Sequence, residues 1–197
     1  LSPNEPGIAG EPGAVPRGST DRRVVELLLD EAWAPDWRVL APTQVPAARG
    51  AERVQSAAKL DRLNGLLRAG SWVQAAELST AMGPALRRRA GASLRAVHGF
   101  LVWKQRGSAP AGAQLALGEL EEALHADPSL GDRHPEVYFY LSRSQWVGRR
   151  YAASVRNMEH YLSRALAAGA RGDAGARDIR TGVRDSAEAP SSGTFPP

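Results

Sequence analysis

The chain has 197 residues, 43% of them hydrophobic, and no cysteine. This length and composition suit one well-buried domain and exclude disulfides, thiolate metal sites and cysteine nucleophiles. Of the 25 basic residues behind the net charge of +4, only Lys59 and Lys104 are lysines. Arginine enrichment of this kind is typical of a GC-rich genome, whereas a nucleic-acid footprint clusters on one face. Arg-mediated nucleic-acid binding is therefore the least favoured function.

The first 50 residues divide into three stretches. Residues 1–18 are rich in Gly and Pro and lack any apolar period, so they are predicted to be a disordered linker. An N-cap sequence then precedes an i, i+4 apolar stripe, which predicts a short amphipathic helix over about 21–33. Residues 34–50 contain three prolines around apolar side chains such as Trp37, and they are predicted to be a packed connector without regular structure.

Helical periodicity occurs three times between residues 51 and 169, and each occurrence is interrupted by a glycine. Apolar residues at helical spacing stand before and after Gly70, Gly107 and Gly148. Each glycine therefore marks a turn between two helices, and Gly70 is predicted to close its helix in the left-handed conformation. The pattern predicts three helix-turn-helix units over about 56–91, 92–131 and 135–169. Residues 170–197, again rich in Gly and Pro, are predicted to be a disordered tail.

The three units resemble tetratricopeptide repeats. The second unit ends in Ala123-Leu124-His125-Ala126-Asp127-Pro128-Ser129, which is typical of the close of such a repeat. The third unit matches best, with Tyr138, Leu141, Ser142, Tyr151, Ser154 and Met158 at consensus positions. The first unit departs from the pattern at Asn64, where the family has a small residue, and in the second unit either Val97 or Phe100 holds the family's Leu position. The resemblance implies an all-α, right-handed superhelix of helical hairpins with disordered termini.

In this family the first helix of each unit lines a concave surface that binds a peptide or a partner helix, so the resemblance implies a non-catalytic interaction or scaffolding module. The positions carried over are Asp61, Gly65 and Arg68 in the first unit, Arg95 in the second, and Phe139, Arg143 and Trp146 in the third. His98 and Gln105 join them only if Phe100 is the core residue. Three arginines with two aromatic anchors would suit an acidic peptide, because Arg pairs with carboxylates bidentately.

Other chemistry has little support in the sequence. The four histidines, His98, His125, His134 and His160, lack zinc-ligand spacing, and no phosphate-binding glycine loop or catalytic motif is present. We therefore expect no metal, no cofactor and no enzymatic activity. The apolar runs fall short of the roughly 20 residues that cross a bilayer, so no membrane span is expected and a cytoplasmic location is favoured.

Two further expectations concern the ends of the chain. The last helix has no following unit to cover Val155, Met158, Tyr161 and Leu162, so it is expected to expose an apolar face and to offer a homodimer contact. The first residue is Leu1, which motivates an alternative function as the regulatory or sensor portion of a larger bacterial signalling protein, such as a protein kinase.

Overall fold

The computed structural model describes residues 19–43, 45–46 and 48–170, and within helix ends the side chains of 19–23 and 168–170 are not described. The disorder predicted for residues 1–18 and for the tail beyond Ala170 lies outside the described residues. Throughout the described ranges the regular structure is helical, which confirms the all-α class.

The helices follow one another with short connections. In chain order they are α1 (Ser19–Leu29), a 3₁₀ turn (Glu31–Trp33), α2 (Gly50–Arg68), α3 (Trp72–Ala81), α4 (Gly83–Ala90), α5 (Ala92–Arg106), α6 (Pro110–Ala126), α7 (Leu130–Arg133), α8 (Glu136–Val147) and α9 (Tyr151–Ala170). The first helix is therefore shorter than the predicted 21–33, and a 3₁₀ turn capped by the Asp30 carboxylate follows it.

Six of these helices pack as three consecutive pairs. The helix α2 packs against α3, α5 against α6 and α8 against α9. The second helix of each pair also contacts the first helix of the next pair, because α3 packs on α5 and α6 packs on α8. The first helices α5 and α8 touch each other as well. One continuous core consequently runs through the three pairs.

Close approach between the paired helices requires small residues. An added Cβ on Gly99 of α5 would lie 2.9 Å from Leu120 Cγ and 3.1 Å from the Ala116 carbonyl oxygen of α6. Between α8 and α9, Ser142 and Ser154 are fully buried, and each hydroxyl donates to the other residue's backbone carbonyl at 2.7 and 2.8 Å. The consensus small positions Ser142 and Ser154 therefore join the helices through polar contacts as well as by proximity.

The same helix-ending motif terminates α2 and α8, which are the first helices of the first and third pairs, with different residues in its left-handed position. After α2, Gly70 has φ +67°, and the Ser71 amide donates to the Leu66 carbonyl at 3.0 Å. After α8, Arg149 has φ +60° instead, whereas Gly148 has φ −75°. The left-handed residue is thus the predicted glycine in the first pair and a non-glycine residue in the third.

One connection differs from the sequence prediction. The unit predicted over about 56–91 as two helices contains three, because Gly83 has φ +72° and Pro84 starts a separate α4 after α3 ends at Ala81.

Between α6 and α7 the Asp127 carboxylate accepts hydrogen bonds from the Ser129 amide and hydroxyl at 3.1 and 2.6 Å. The Ser129 hydroxyl and then Arg133 lower the pKa of Asp127 below its ordinary value.

The helix α1 packs against α8 and α9 at the end of the stack. Leu27 and Trp33 line a small cavity of 10 Å³ together with Met158 and Tyr161 of α9. Met158 and Tyr161 are buried, and burial raises the pKa of the Tyr161 phenol to about 12. The expectation that the last helix exposes an apolar face is therefore wrong, because α1 packs over that face.

Candidate functional site

An extended segment, residues 34–41, crosses the first helices of all three pairs, and we call it the strap. It leaves α1 beside the third pair and meets α8 through Pro35, α5 through Trp37 and α2 through Ala41. The strap therefore runs against the order of the pairs and rejoins the chain at α2. The surface formed beneath it by α2, α5 and α8 is called the groove below.

Polar side chains of the groove hold the backbone of the strap. The Asn64 amide of α2 binds both backbone groups of Ala41, since its oxygen accepts from the Ala41 N–H at 2.8 Å and its nitrogen donates to the Ala41 carbonyl at 3.0 Å. On α8, the Tyr140 hydroxyl donates to the Pro35 carbonyl at 3.2 Å, and Glu136 Oε1 accepts from the Arg38 N–H at 3.0 Å. These contacts recognise an extended backbone, whatever its side chains.

Aromatic side chains form the centre of the groove. The Trp37 ring stacks on Phe100 of α5 with centroids 4.3 Å apart and planes within 4°. Tyr140 meets both rings edge-on, at 5.7 Å from Trp37 and 4.9 Å from Phe100, and Trp72 meets Phe100 at 5.3 Å. Stacked and edge-to-face pairs of this kind add stabilisation beyond the apolar area that they bury. The groove thus contains a seat for one planar aromatic ring.

Arg143 of α8 lies beside the groove with its side chain only 11% exposed, and its predicted role in peptide binding stays a prediction. Its guanidinium lies over the rings of Trp103 and Phe139, 5.6 and 5.7 Å from their centroids. Its Nη2 donates to the Glu31 carboxylate at 2.8 Å, while its buried Nη1 finds no hydrogen-bond partner among the described residues. Arg143 therefore has one further donor for a negatively charged group.

Two residues predicted to line the groove as solvent-facing contacts are buried, so those two predictions are wrong. Phe139 is 1% exposed and packs against Tyr140 and Tyr161. His98 is 8% exposed and shares a 2.9 Å hydrogen bond with Ser79 Oγ of α3. Burial, assisted by the charge of Arg87, lowers the pKa of His98 to about 4, so the ring is neutral at pH 7.

The other predicted contacts occupy different surroundings. Asp61 and Arg68 are exposed on α2, three residues before and four residues after Asn64, and hence on the same helix face. Arg95 is mostly covered and forms an ion pair with Glu122 of α6. Trp146 is half-buried against Tyr151, with centroids 4.7 Å apart. A peptide-binding role for these four residues stays a prediction.

Arginines elsewhere on the helices pair with carboxylates from other segments. The pairs at 4 Å or less include Arg87–Glu119, Arg89–Glu52, Arg133–Asp127, Arg150–Glu121 and Arg164–Asp132. Positive charge at these positions is neutralised locally. Several of these arginines remain about half exposed, so the low rank given to nucleic-acid binding stays a prediction.

Sequence reasoning missed the residues that hold the strap. Asn64 was visible only as a departure from the small residue of the repeat pattern, and burial of its amide explains that departure. Trp37, Val39 and Ala41 face the protein at alternate positions, which is the period of an extended chain. A search for alternation, in addition to helical spacing, would have indicated the strap.

The last observations concern metal binding, membrane insertion and similarity to known proteins. Within the described residues, no group of three or more His, Asp or Glu is placed to hold a metal ion. The same part of the chain includes no helix long and apolar enough to traverse a bilayer. No family model, curated protein or solved structure matches the chain.

Proposed function

We propose that this chain is a non-catalytic protein-interaction module that binds an extended peptide in the groove formed by α2, α5 and α8. Three observations agree with a right-handed superhelix of tetratricopeptide-like hairpins: the helices pair consecutively, the second helix of each pair packs on the next pair, and small residues occupy the points of closest approach. In such a stack the first helices line the concave face, and here they line the groove.

The strap is the observation that carries this proposal. This segment of the chain itself lies extended across the groove, held through backbone hydrogen bonds to Asn64, Tyr140 and Glu136 and through one stacked ring. Backbone contacts provide affinity for any extended segment, while pockets for individual side chains provide selectivity. The groove is therefore already equipped for the recognition that we propose.

Charge favours an acidic ligand. Arg143 lies on α8, at one end of the groove, and already engages the carboxylate of Glu31, in the 3₁₀ turn that precedes the strap. Arg68, which is exposed on α2, adds a second cation at the opposite end. A peptide that carries a carboxylate together with an aromatic residue therefore suits Arg143 and the aromatic seat.

Site-specific photo-crosslinking in cells tests this proposal. A benzoylphenylalanine in place of Arg68 lies on the groove face of α2, and one in place of Leu115 lies on α6, where Leu115 is 59% exposed. We expect a defined protein adduct from position 68 and not from position 115. Adducts that form only from position 115 would contradict the proposed use of the groove.

A further inference from the structure

We infer that the strap is an internal ligand of the groove, and that the external ligand which displaces it carries a carboxylate six residues before a planar aromatic side chain. This inference rests on the proposed function and specifies both the ligand and its regulation. Glu31 and Trp37 define the spacing, because Glu31 reaches Arg143 and Trp37 fills the seat on Phe100.

The strap satisfies the groove incompletely, so a better ligand is chemically possible. The Trp37 indole Nε1 is buried and finds no hydrogen-bond partner among the described residues. A buried donor without a partner is unfavourable, because it has lost its hydrogen bond to water without gaining another. A phenylalanine in the same seat keeps a flat ring for stacking on Phe100 and has no N–H to bury. The seat therefore favours Phe over the Trp that the strap provides.

Arg143, which contacts Glu31 in the turn just before the strap, is also incompletely used. Glu31 contacts only Nη2 of Arg143, and the Glu31 side chain is 70% exposed, so solvent screens this ion pair. Nη1 of Arg143 is buried without a partner in the described part of the chain. A carboxylate that contacts both nitrogens gains a second charge-assisted hydrogen bond. An external acidic residue that contacts both nitrogens consequently binds Arg143 more strongly than Glu31 does.

Covalent attachment explains why an imperfect strap still occupies the groove. The strap is connected to α1 on one side and to α2 on the other, so its local concentration at the groove is high. An external peptide binds only the fraction of molecules whose strap is released, and its apparent affinity falls by that fraction. The strap thereby sets a threshold that excludes weak ligands.

Peptide binding to the full chain tests this inference. The probes are fluorescent synthetic peptides with the sequence of residues 30–42, either unchanged or with E31Q or W37F. The receptors are the wild-type chain and the Trp37→Ala chain, in which the strap lacks its ring. We expect the unchanged peptide to bind Trp37→Ala at least about tenfold more tightly than wild type. The W37F peptide should bind more tightly, and the E31Q peptide more weakly, than the unchanged peptide.

If Trp37→Ala does not fold, Trp37→Leu retains apolar volume in the seat while losing the stacked ring, and the same comparison applies. Equal affinity of the unchanged peptide for the wild-type and variant chains, or no binding to a folded variant, would overturn the inference. Adducts from position 68 alongside such a peptide result would leave the proposed function standing and remove only the internal ligand. Peptide binding as expected, without adducts from position 68, would support the strap as an internal ligand and contradict the proposed function.

Discussion

Two contact surfaces, called seams below, differ in how completely they are packed and hydrogen-bonded. One joins α5 to α6, and the other joins the strap to the groove. In the first, Gly99 lets the helices approach until any side chain at that position would meet Leu120 and a backbone carbonyl. In the second, Trp37 and Arg143 each leave a buried donor without a partner among the described residues. The helical seam admits one arrangement, whereas the strap seam has contacts that another segment can improve. We therefore expect the pairs to provide most of the stability, and the groove to be the place where the proposed exchange of ligands occurs.

The largest expected effect is on the helical seam. Replacing Gly99 by valine puts Cβ 2.9 Å from Leu120 Cγ and brings two methyl groups into the same space. We expect a loss of about 3 kcal/mol in the free energy of unfolding, measured by urea denaturation. Gly118→Ala on α6 is the matched control, since nothing lies within 4 Å of its added Cβ. The control should gain up to about 1 kcal/mol from helix propensity. A tolerated valine would contradict the close approach.

The interface between α3 and α5 is expected to respond to pH through His98. In the folded chain its pKa is about 4, against an ordinary value of 6.5. Below pH 6.5 the His98 ring therefore takes up a proton in the unfolded chain, whereas in the folded chain it stays neutral until near pH 4. The free energy of unfolding falls across this window. Between pH 7 and pH 5 we expect His98 to account for a loss of about 2 kcal/mol.

Urea denaturation of His98→Gln at the two pH values isolates this contribution, because glutamine does not titrate and still offers an acceptor to Ser79. The variant should lose about 2 kcal/mol less than wild type between pH 7 and pH 5. His125→Gln, at an exposed position of α6, is the control and should keep the wild-type difference. Identical pH dependence in all three chains would contradict the lowered pKa of His98 in the folded chain.

Asn64 provides a smaller effect that is confined to the strap seam. Asn64→Ala removes both hydrogen bonds to the Ala41 backbone, a loss on the order of 1.5 kcal/mol. Since only the strap is released, its amides should exchange with solvent deuterium about tenfold faster while those of α6 are unchanged. Asp61→Ala on the same face of α2 is the control. Equal acceleration throughout the chain would mean that strap and helices open together.

The smallest expected effects compare the two helix ends that share one motif. Arg149 has φ +60° and pays the steric cost of the left-handed region, so Arg149→Gly should stabilise the third pair by roughly 0.5–1 kcal/mol. Gly70→Ala should destabilise the first pair by about 1 kcal/mol at φ +67°. Thermal unfolding measures both changes. Shifts of the same sign would contradict the left-handed assignment at one of the two ends.

The helical pairs could be predicted from the sequence because their apolar residues recur at helical spacing over long stretches. Leu60, Leu63 and Leu67 are buried along α2, as their spacing predicts. The break at Gly83 was missed because the apolar period continues across it to Leu86. Local backbone geometry ended the helix there, although Gly83-Pro84 is a recognisable start signal for the next helix.

The groove was less predictable because its surface depends on a segment from another part of the chain. Arg143 on α8 pairs with Glu31, and its role in peptide binding stays a prediction, while Phe139 and His98 were placed on a surface that the fold turns inward. Helical spacing assigns a residue to one face of a helix, but it does not reveal which neighbour covers that face. Contacts between the strap and α8 join residues about 100 positions apart, and no local pattern encodes them.

Native-state hydrogen exchange of the wild-type chain tests the central claim most directly, namely that the strap is a ligand of a preformed helical stack. The account predicts that the amides of Arg38 and Ala41, which donate to Glu136 and Asn64, exchange through a local opening. Their protection should be at least about a hundredfold lower than that of the buried α5 amides, and it should be insensitive to low urea concentrations. Strap amides that exchange only with global unfolding, at the same rate and with the same urea dependence as α5, would contradict the account.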